Sequence, residues 1–353
     1  MRSALRAPGE CGCCSRAPNR LTLDLTFEGE KRKKTEKIAM SLSGVDWYKG
    51  YIFVGSDEGP GFERLKEIEE GVYRARARFG LGDFFDLPGD PDDEADVESI
   101  SIHKNWLWLV TSHARTRPKL EDGVEKFAKV QDHPRRYVLG RIPLVDGAGE
   151  PPTPVRRDSN REAWCVPVSG RGSALIDAIA EDPHLKQSLK IPAKENGLDI
   201  EGLAVGNGRL VLGLRGPVLR GQAVLLSLNW SEDESRTPSK DGAGVNYRKI
   251  FVDLHGLGVR DLCRRNQDLV ILAGPTMPVP ATYCIYLIPD FFEKTDMPDA
   301  LEPRYWCDVP SEEGRNPEGL STYGDDSDQF IMVLDGGNAA KGVVADALLI
   351  RAP

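Results

Sequence analysis

One pattern recurs along the 353 residues and constrains the fold more than any other feature: a short apolar run with an acidic residue at its head, a tight turn, and a second apolar run. The clearest copy reads Leu198-Asp199-Ile200-Glu201-Gly202-Leu203-Ala204-Val205, turns at Gly206-Asn207-Gly208, and returns as Arg209-Leu210-Val211-Leu212-Gly213-Leu214-Arg215-Gly216-Pro217. Two apolar runs joined by Asn-Gly form a β-hairpin signal, because both residues accept the positive φ that a twisted hairpin turn demands. A second copy spans Asp96 to His113, turning at His103-Lys104-Asn105, and a third spans Asn316 to Gly337, turning at Gly324-Asp325-Asp326. Two looser copies centre on Ser43–Asp57 and Val259–Pro275.

Counted between Asp46, Glu98, Glu201, Asp261 and Glu318, the copies lie 52, 103, 60 and 57 residues apart. A unit of four strands plus loops, the blade of a β-propeller, takes about 40 to 50 residues, whereas most solenoid repeats are shorter. The expectation is an all-β propeller with internal repeats. It has five blades, or six if residues 114–197 hide one, and a short helical insertion near 173–190, where Ser173 is placed to cap a helix carrying Leu175, Ile176 and Ile179. Alternation at Leu21, Leu23, Leu25 and Phe27 predicts an N-terminal strand that completes the last blade. The domain organisation expected is therefore a disordered leader over 1–20 and one propeller over 21–353. The charge run Lys31 to Lys37 reads as a solvated turn, and outer strands of the first unit are expected near 71–78 and 84–87.

A net charge of −9 and a pI near 5.3 argue against a nucleic-acid partner, which calls for a basic stripe. No run of about 18 apolar residues is present, so no membrane partner is expected, and the N-terminal segment lacks the apolar core of a secretory signal. These features point to the cytoplasm. Cys165, Cys263, Cys284 and Cys307 stand singly in apolar or aromatic surroundings and read as small buried hydrophobes. Cys11, Cys13 and Cys14 are too tightly spaced for a structural zinc site.

In a propeller the innermost strand of each blade lines a central channel, so acids at equivalent places converge there. Glu98, Glu201 and Glu318, with Asp46 and Asp261 in the looser copies, are the candidate metal ligands. Crowded carboxylates raise one another's pKa unless a cation intervenes, and a hard divalent ion such as Ca²⁺ or Mg²⁺ takes oxygen ligands. Equally, each acid could serve as a latch on a neighbouring blade, with Arg215 and Arg260 neutralising the glutamates. Residues just past the second strands, Asp57, His113, Arg115 and Arg215, belong at the channel mouth and are the candidate catalytic set, suited to a small polar or anionic ligand.

Asp-Ile-Glu-Gly-Leu-Ala at 199–204, Gly-Leu-Arg-Gly-Pro at 213–217, Gly-Val-Arg-Asp-Leu at 258–262 and Ser-His-Ala-Arg at 112–115 together resemble the bacterial family called domain of unknown function 3616, over most of the chain after about residue 21. The resemblance implies a propeller-like fold and supplies no established activity. Ser99 stands where the other clear copies have Gly202 and Gly319, which implies different local geometry in the second copy. Two functions remain open. One is a metal-dependent hydrolase of phosphate or other esters; the other is a non-catalytic propeller that binds a small ligand or a protein partner, with its acids as latches.

Overall fold

Tight turns set the architecture. Asn207 and Gly208 both have positive φ (47° and 71°), as do Lys104 and Asn105 (48° and 61°) and Lys49 and Gly50 (51° and 82°), the type I′ geometry that joins twisted strands over two residues. The computed structural model describes residues 19–27, 32–147, 149–169, 172–229, 245–279, 281–309, 314–336 and 344–352. The cysteine-bearing leader at Cys11, Cys13 and Cys14 lies outside the described residues.

Among the described residues all but a few two-residue strands fall into five antiparallel meanders. The first holds Leu42–Tyr48, Tyr51–Ser56, Gly61–Glu69 and Val72–Gly80; the second, Val97–His103, Trp106–Thr111, Leu139–Val145 and the short Trp164–Cys165. The third holds Asp199–Gly206, Arg209–Gly216, Gln222–Asn229 and Arg248–Asp253, and the fourth Gly258–Arg265, Asp268–Gly274, Tyr283–Ile288 and Arg304–Val309. The fifth is Asn316–Tyr323, Asp326–Asp335 and Val344–Arg351, completed from the other end of the chain by Asn19–Asp24. That N-terminal strand pairs antiparallel with Val344–Arg351 and parallel with Val72–Gly80, so it also joins the last meander to the first.

The first strand of each meander packs against the first strand of the next, and the fifth against the first, which closes a ring. Alternating side chains place apolar residues on both faces of each sheet, and the core is accordingly five clusters, one at each interface between neighbours. This is a β-propeller. Residues 114–197 supply the outer strands of the second blade and the insertion: the helix Ala174–Ala180 is capped by Ser173 Oγ, which accepts from Ile176 N, and it buries Leu175 and Ile179 against the interface between blades two and three.

Two local expectations need correction. The charge run begins a helix, Arg32–Met40, which seats Ile38 and Ala39 in the apolar cluster between blades one and five while Lys33 and Lys37 are exposed. Phe84 and Phe85 follow a 3₁₀ turn, Leu81–Asp83, and pack as core plugs rather than as an outer strand; Gly61–Glu69 takes the strand position instead. No helix among the described residues is long and apolar enough to cross a membrane.

Candidate functional site in the channel

Each inner strand carries a β-bulge near its start. The register shifts between Val97 and Ser99, between Ile200 and Gly202, between Val259 and Asp261, and between Pro317 and Gly319, and a matching shift falls between Leu42 and Val45. A bulge re-aims the extra side chain. The residues so placed are Glu98, Glu201, Arg260 and Glu318, with Ser43 in the first blade. Glu98, Glu201 and Glu318 therefore do stand at equivalent places, as the repeat implies. The fourth blade offers an arginine there.

Asp46 and Asp261 sit elsewhere, which corrects their alignment with the glutamates. Asp261 is one residue past the bulge, at the position of Ser99, Gly202 and Gly319, and a one-residue slip on a strand turns the side chain to the other face. Strands approach so closely at this level that a Cβ on Gly319 would lie 2.1 Å from Ser43 O, and one on Gly202 2.7 Å from Leu262 Cγ. Where side chains do occur they bond to each other: Ser99 Oγ of blade two donates to Asp261 Oδ1 of blade four at 2.7 Å, Leu320 N of blade five donates to Asp261 Oδ2 at 2.7 Å, and Leu203 N of blade three donates to Ser99 Oγ at 3.1 Å. A contact between non-adjacent blades crosses the axis. This pair plugs it. Asp46, three residues past the bulge, accepts from Ser321 Oγ and Ile102 N, tying blade one to both neighbours; burial pushes its carboxyl up to about 7.

Beyond the plug, carboxylates crowd together. One oxygen from each of Asp57, Asp96 and Glu98 lie within 4.8 Å of one another, and so do oxygens from Glu98, Asp199 and Glu201. Arginines answer some of this charge. Arg136 Nη1 reaches Asp96 Oδ2 at 2.8 Å; Arg215 pairs with Asp199 and, at 2.7 Å, with Glu201 Oε1; Arg260 bridges Glu201 Oε2, at 3.0 Å, to Glu318. Glu98 is different. Its carboxylate makes no hydrogen bond or ion pair with any described residue, and the Oδ1 atoms of Asp57 and Asp199 are buried without a hydrogen-bond partner, Asp199 being only 1% exposed. Burial, and then the charges of Asp57, Asp96 and Glu201, hold the Glu98 carboxyl well above its ordinary range; burial, Asp96 and Asp335 do the same to Asp57. Burial raises Glu201 to about 7 against the pull of Arg215 and Arg260.

Hard divalent ions fit this donor set. Ca²⁺ holds oxygens at about 2.3–2.6 Å, so ligands around one ion lie up to roughly 5 Å apart. An adjoining cavity of about 520 Å³ opens beside the cluster and is lined by Lys194, Arg215, Arg260, Tyr283, Glu318 and Asp335 among others.

Of the residues expected at the mouth, Asp57 and Arg215 join the cluster. His113 and Arg115 do not; they line a separate cavity of about 480 Å³ under the helical insertion. Asp96, Asp199 and Arg136 were not among the expected set. Asp96 and Asp199 had a legible signal, since Asp-x-Glu occurs in both Asp96-Val97-Glu98 and Asp199-Ile200-Glu201. Arg136 had none, because it arrives from a loop before the third strand of its blade.

The family described as "Protein of unknown function (DUF3616)" matches residues 41–349. No curated protein matches the chain. Similar solved structures include the PQQ-bound aldose sugar dehydrogenase from Streptomyces coelicolor, at 13% identity and TM-score 0.41 over 96% of this chain and 100% of that one. A streptogramin B lyase is similar at 9% identity and TM-score 0.38, over 94% and 98% of the two chains. A GH43 β-1,3-galactosidase is similar at 11% identity and TM-score 0.44, over 95% of this chain and 60% of that one. Similarity at this level says nothing about activity.

Proposed function

We propose that this chain, which belongs to the DUF3616 family of proteins of unknown function, binds a divalent cation, Ca²⁺ or Mg²⁺, at the mouth of its channel and serves as a metal-assisted hydrolase of phosphate or other esters. The observation that carries the reading is Glu98, a carboxyl group set among four others and in no ion pair with a described residue, the nearby Arg136 and Arg215 each being paired to another acid. Arg136 pairs with Asp96, Arg215 with Asp199 and Glu201, and Arg260 with Glu201 and Glu318, which leaves Glu98 and Asp57 without an ion pair among the described residues. A group that cannot find a cation in the protein takes one from solution or stays protonated.

The ligand set implied is Glu98 with Asp57, Asp96, Asp199 and Glu201. Glu318 is held by Arg260 as a latch, and Asp46 and Asp261 are engaged in interblade hydrogen bonds. When bound, the cation would polarise a substrate oxygen and lower the pKa of a bound water. The chain's own residues would place Arg215 and Arg260 at the cavity wall, where a small polar or anionic substrate enters, and Arg215 would hold Asp199 and Glu201 in position.

Metal analysis after extensive dialysis, titration calorimetry with CaCl₂ and MgCl₂, and a phosphatase and esterase screen test this on wild type and Glu98→Gln. One cation per chain, lost together with any hydrolysis in Glu98→Gln, is expected. If no cation is retained or taken up, the alternative stands: a non-catalytic propeller in which arginine–glutamate latches hold the blades, the role that Arg260 already plays between Glu201 and Glu318.

A further inference from the structure

We propose that the cavity between the second blade and the helical insertion is a second binding site, for a small oxyanion that carries its own O–H group. Its focal point is His113. This side chain is 2% exposed and lines a cavity of about 480 Å³. Its Nδ1 lies 2.8 Å from Thr111 O, and a carbonyl can only accept, so Nδ1 carries the proton and Nε2 presents a bare lone pair. Nε2 is buried and has no hydrogen-bond partner among the described residues. Burial pushes the imidazole down to about 4, so the ring stays neutral and Nε2 stays an acceptor across the physiological range. The Tyr137 ring sits edge-on against it, with centroids 5.9 Å apart. His113 also adopts φ 54°, a left-handed backbone that a β-carbon disfavours and that tends to be retained at binding sites.

The rest of the lining defines the partner. Arg115, Lys186 and Lys190 contribute positive charge, and no acidic residue lines the cavity. Lys186 and Lys190 make no ion pair among the described residues; Arg115 Nε donates to Asp132 Oδ1, whose other partner is the Tyr137 hydroxyl. Ile176, Leu189 and Leu198 give an apolar wall. Positive charge selects an anion. A buried neutral acceptor adds a stricter demand, since an anion without a hydrogen to donate would leave Nε2 desolvated and unpaired. Hydrogen phosphate and small hydroxycarboxylates meet both conditions; sulfate and simple dicarboxylates meet only the first. This site does not depend on the cation proposed for the channel.

The test uses the full chain, labelled with ¹⁵N at histidine, in buffer free of divalent cations. The His113 Nε2 resonance is identified as the one missing from His113→Asn, a change that keeps a residue tolerant of left-handed backbone. Two probe pairs differ in the O–H at similar charge: phosphate against sulfate, and malate against succinate. Phosphate or malate should move the Nε2 resonance and bind about ten-fold or more tightly than its partner, and Lys186→Ser with Lys190→Ser should weaken that binding. Equal affinity within both pairs, or an Nε2 resonance that none of the four moves, overturns the proposal. If His113→Asn fails to fold, the paired titrations on wild type and on the double lysine variant still decide it.

Discussion

Arg260 occupies on the fourth inner strand the bulge position that Glu201 occupies on the third, and the two side chains meet at 3.0 Å from Arg260 Nη1 to Glu201 Oε2. The same guanidinium reaches Glu318 of the fifth blade. One exchange of sign within the repeat thus ties three consecutive blades together. It also decides where charge is left over: Glu98, two blades from Arg260, has no such partner.

Arg260→Gln removes the shared counter-charge, leaving Glu318 without its ion pair and Glu201 with Arg215 alone. Breaking a buried pair costs about 3–5 kcal/mol. Urea denaturation should show a loss of that order, larger than the loss for Arg74→Gln, whose partner Asp24 it meets on an exposed outer strand.

Glu98→Gln should act in opposite directions on two measurements. In EDTA the variant should be more stable than wild type by about 1 kcal/mol, because an unpaired carboxylate with a raised pKa is replaced by a neutral amide. The rise in melting temperature expected for wild type in CaCl₂ should be absent from the variant. Thermal melts with and without calcium read both effects.

The stability of the metal-free protein should fall as pH rises from about 4 to about 7. Asp57, Glu98 and Glu201 have folded-state pKa values above their unfolded ones, Glu201 at about 7, so the folded chain binds more protons in this window and loses that advantage as they leave. Cation affinity should rise over the same window, since ligands must be deprotonated to bind. Saturating calcium should flatten the decline without abolishing it, because Asp46, also near 7, lies outside the ligand set. Denaturation at a series of pH values, with and without calcium, checks the sign.

Asp261→Ala should be among the most destabilising substitutions on the axis. It strips an acceptor from Ser99 Oγ, Leu262 N and Leu320 N at once. Each buried donor left unpaired costs about 1–3 kcal/mol, so a loss of roughly 3 kcal/mol or more is expected by chemical denaturation. Ser99→Ala, which leaves one buried donor, Leu203 N, without its acceptor and takes one of three donors from Asp261, should cost less.

The sequence by itself determined that the chain is a ring of repeated hairpins, because turn residues such as Asn207-Gly208 and the strand alternation around them are local requirements of the backbone. It also determined that Glu98, Glu201 and Glu318 are equivalent, since three copies share their spacing from the turn. What only the tertiary structure decided was the partnering. A bulge inserts one residue without altering composition, so Arg260 and Asp261 exchange roles on a shift invisible in the linear pattern. Ring closure then brings Ser99 to Asp261, and the folding of the second blade brings the loop residue Arg136 to Asp96. Whether a carboxylate is latched or left for a cation depends on the counter-charges within a few ångströms of it, and those distances exist only once the ring has closed.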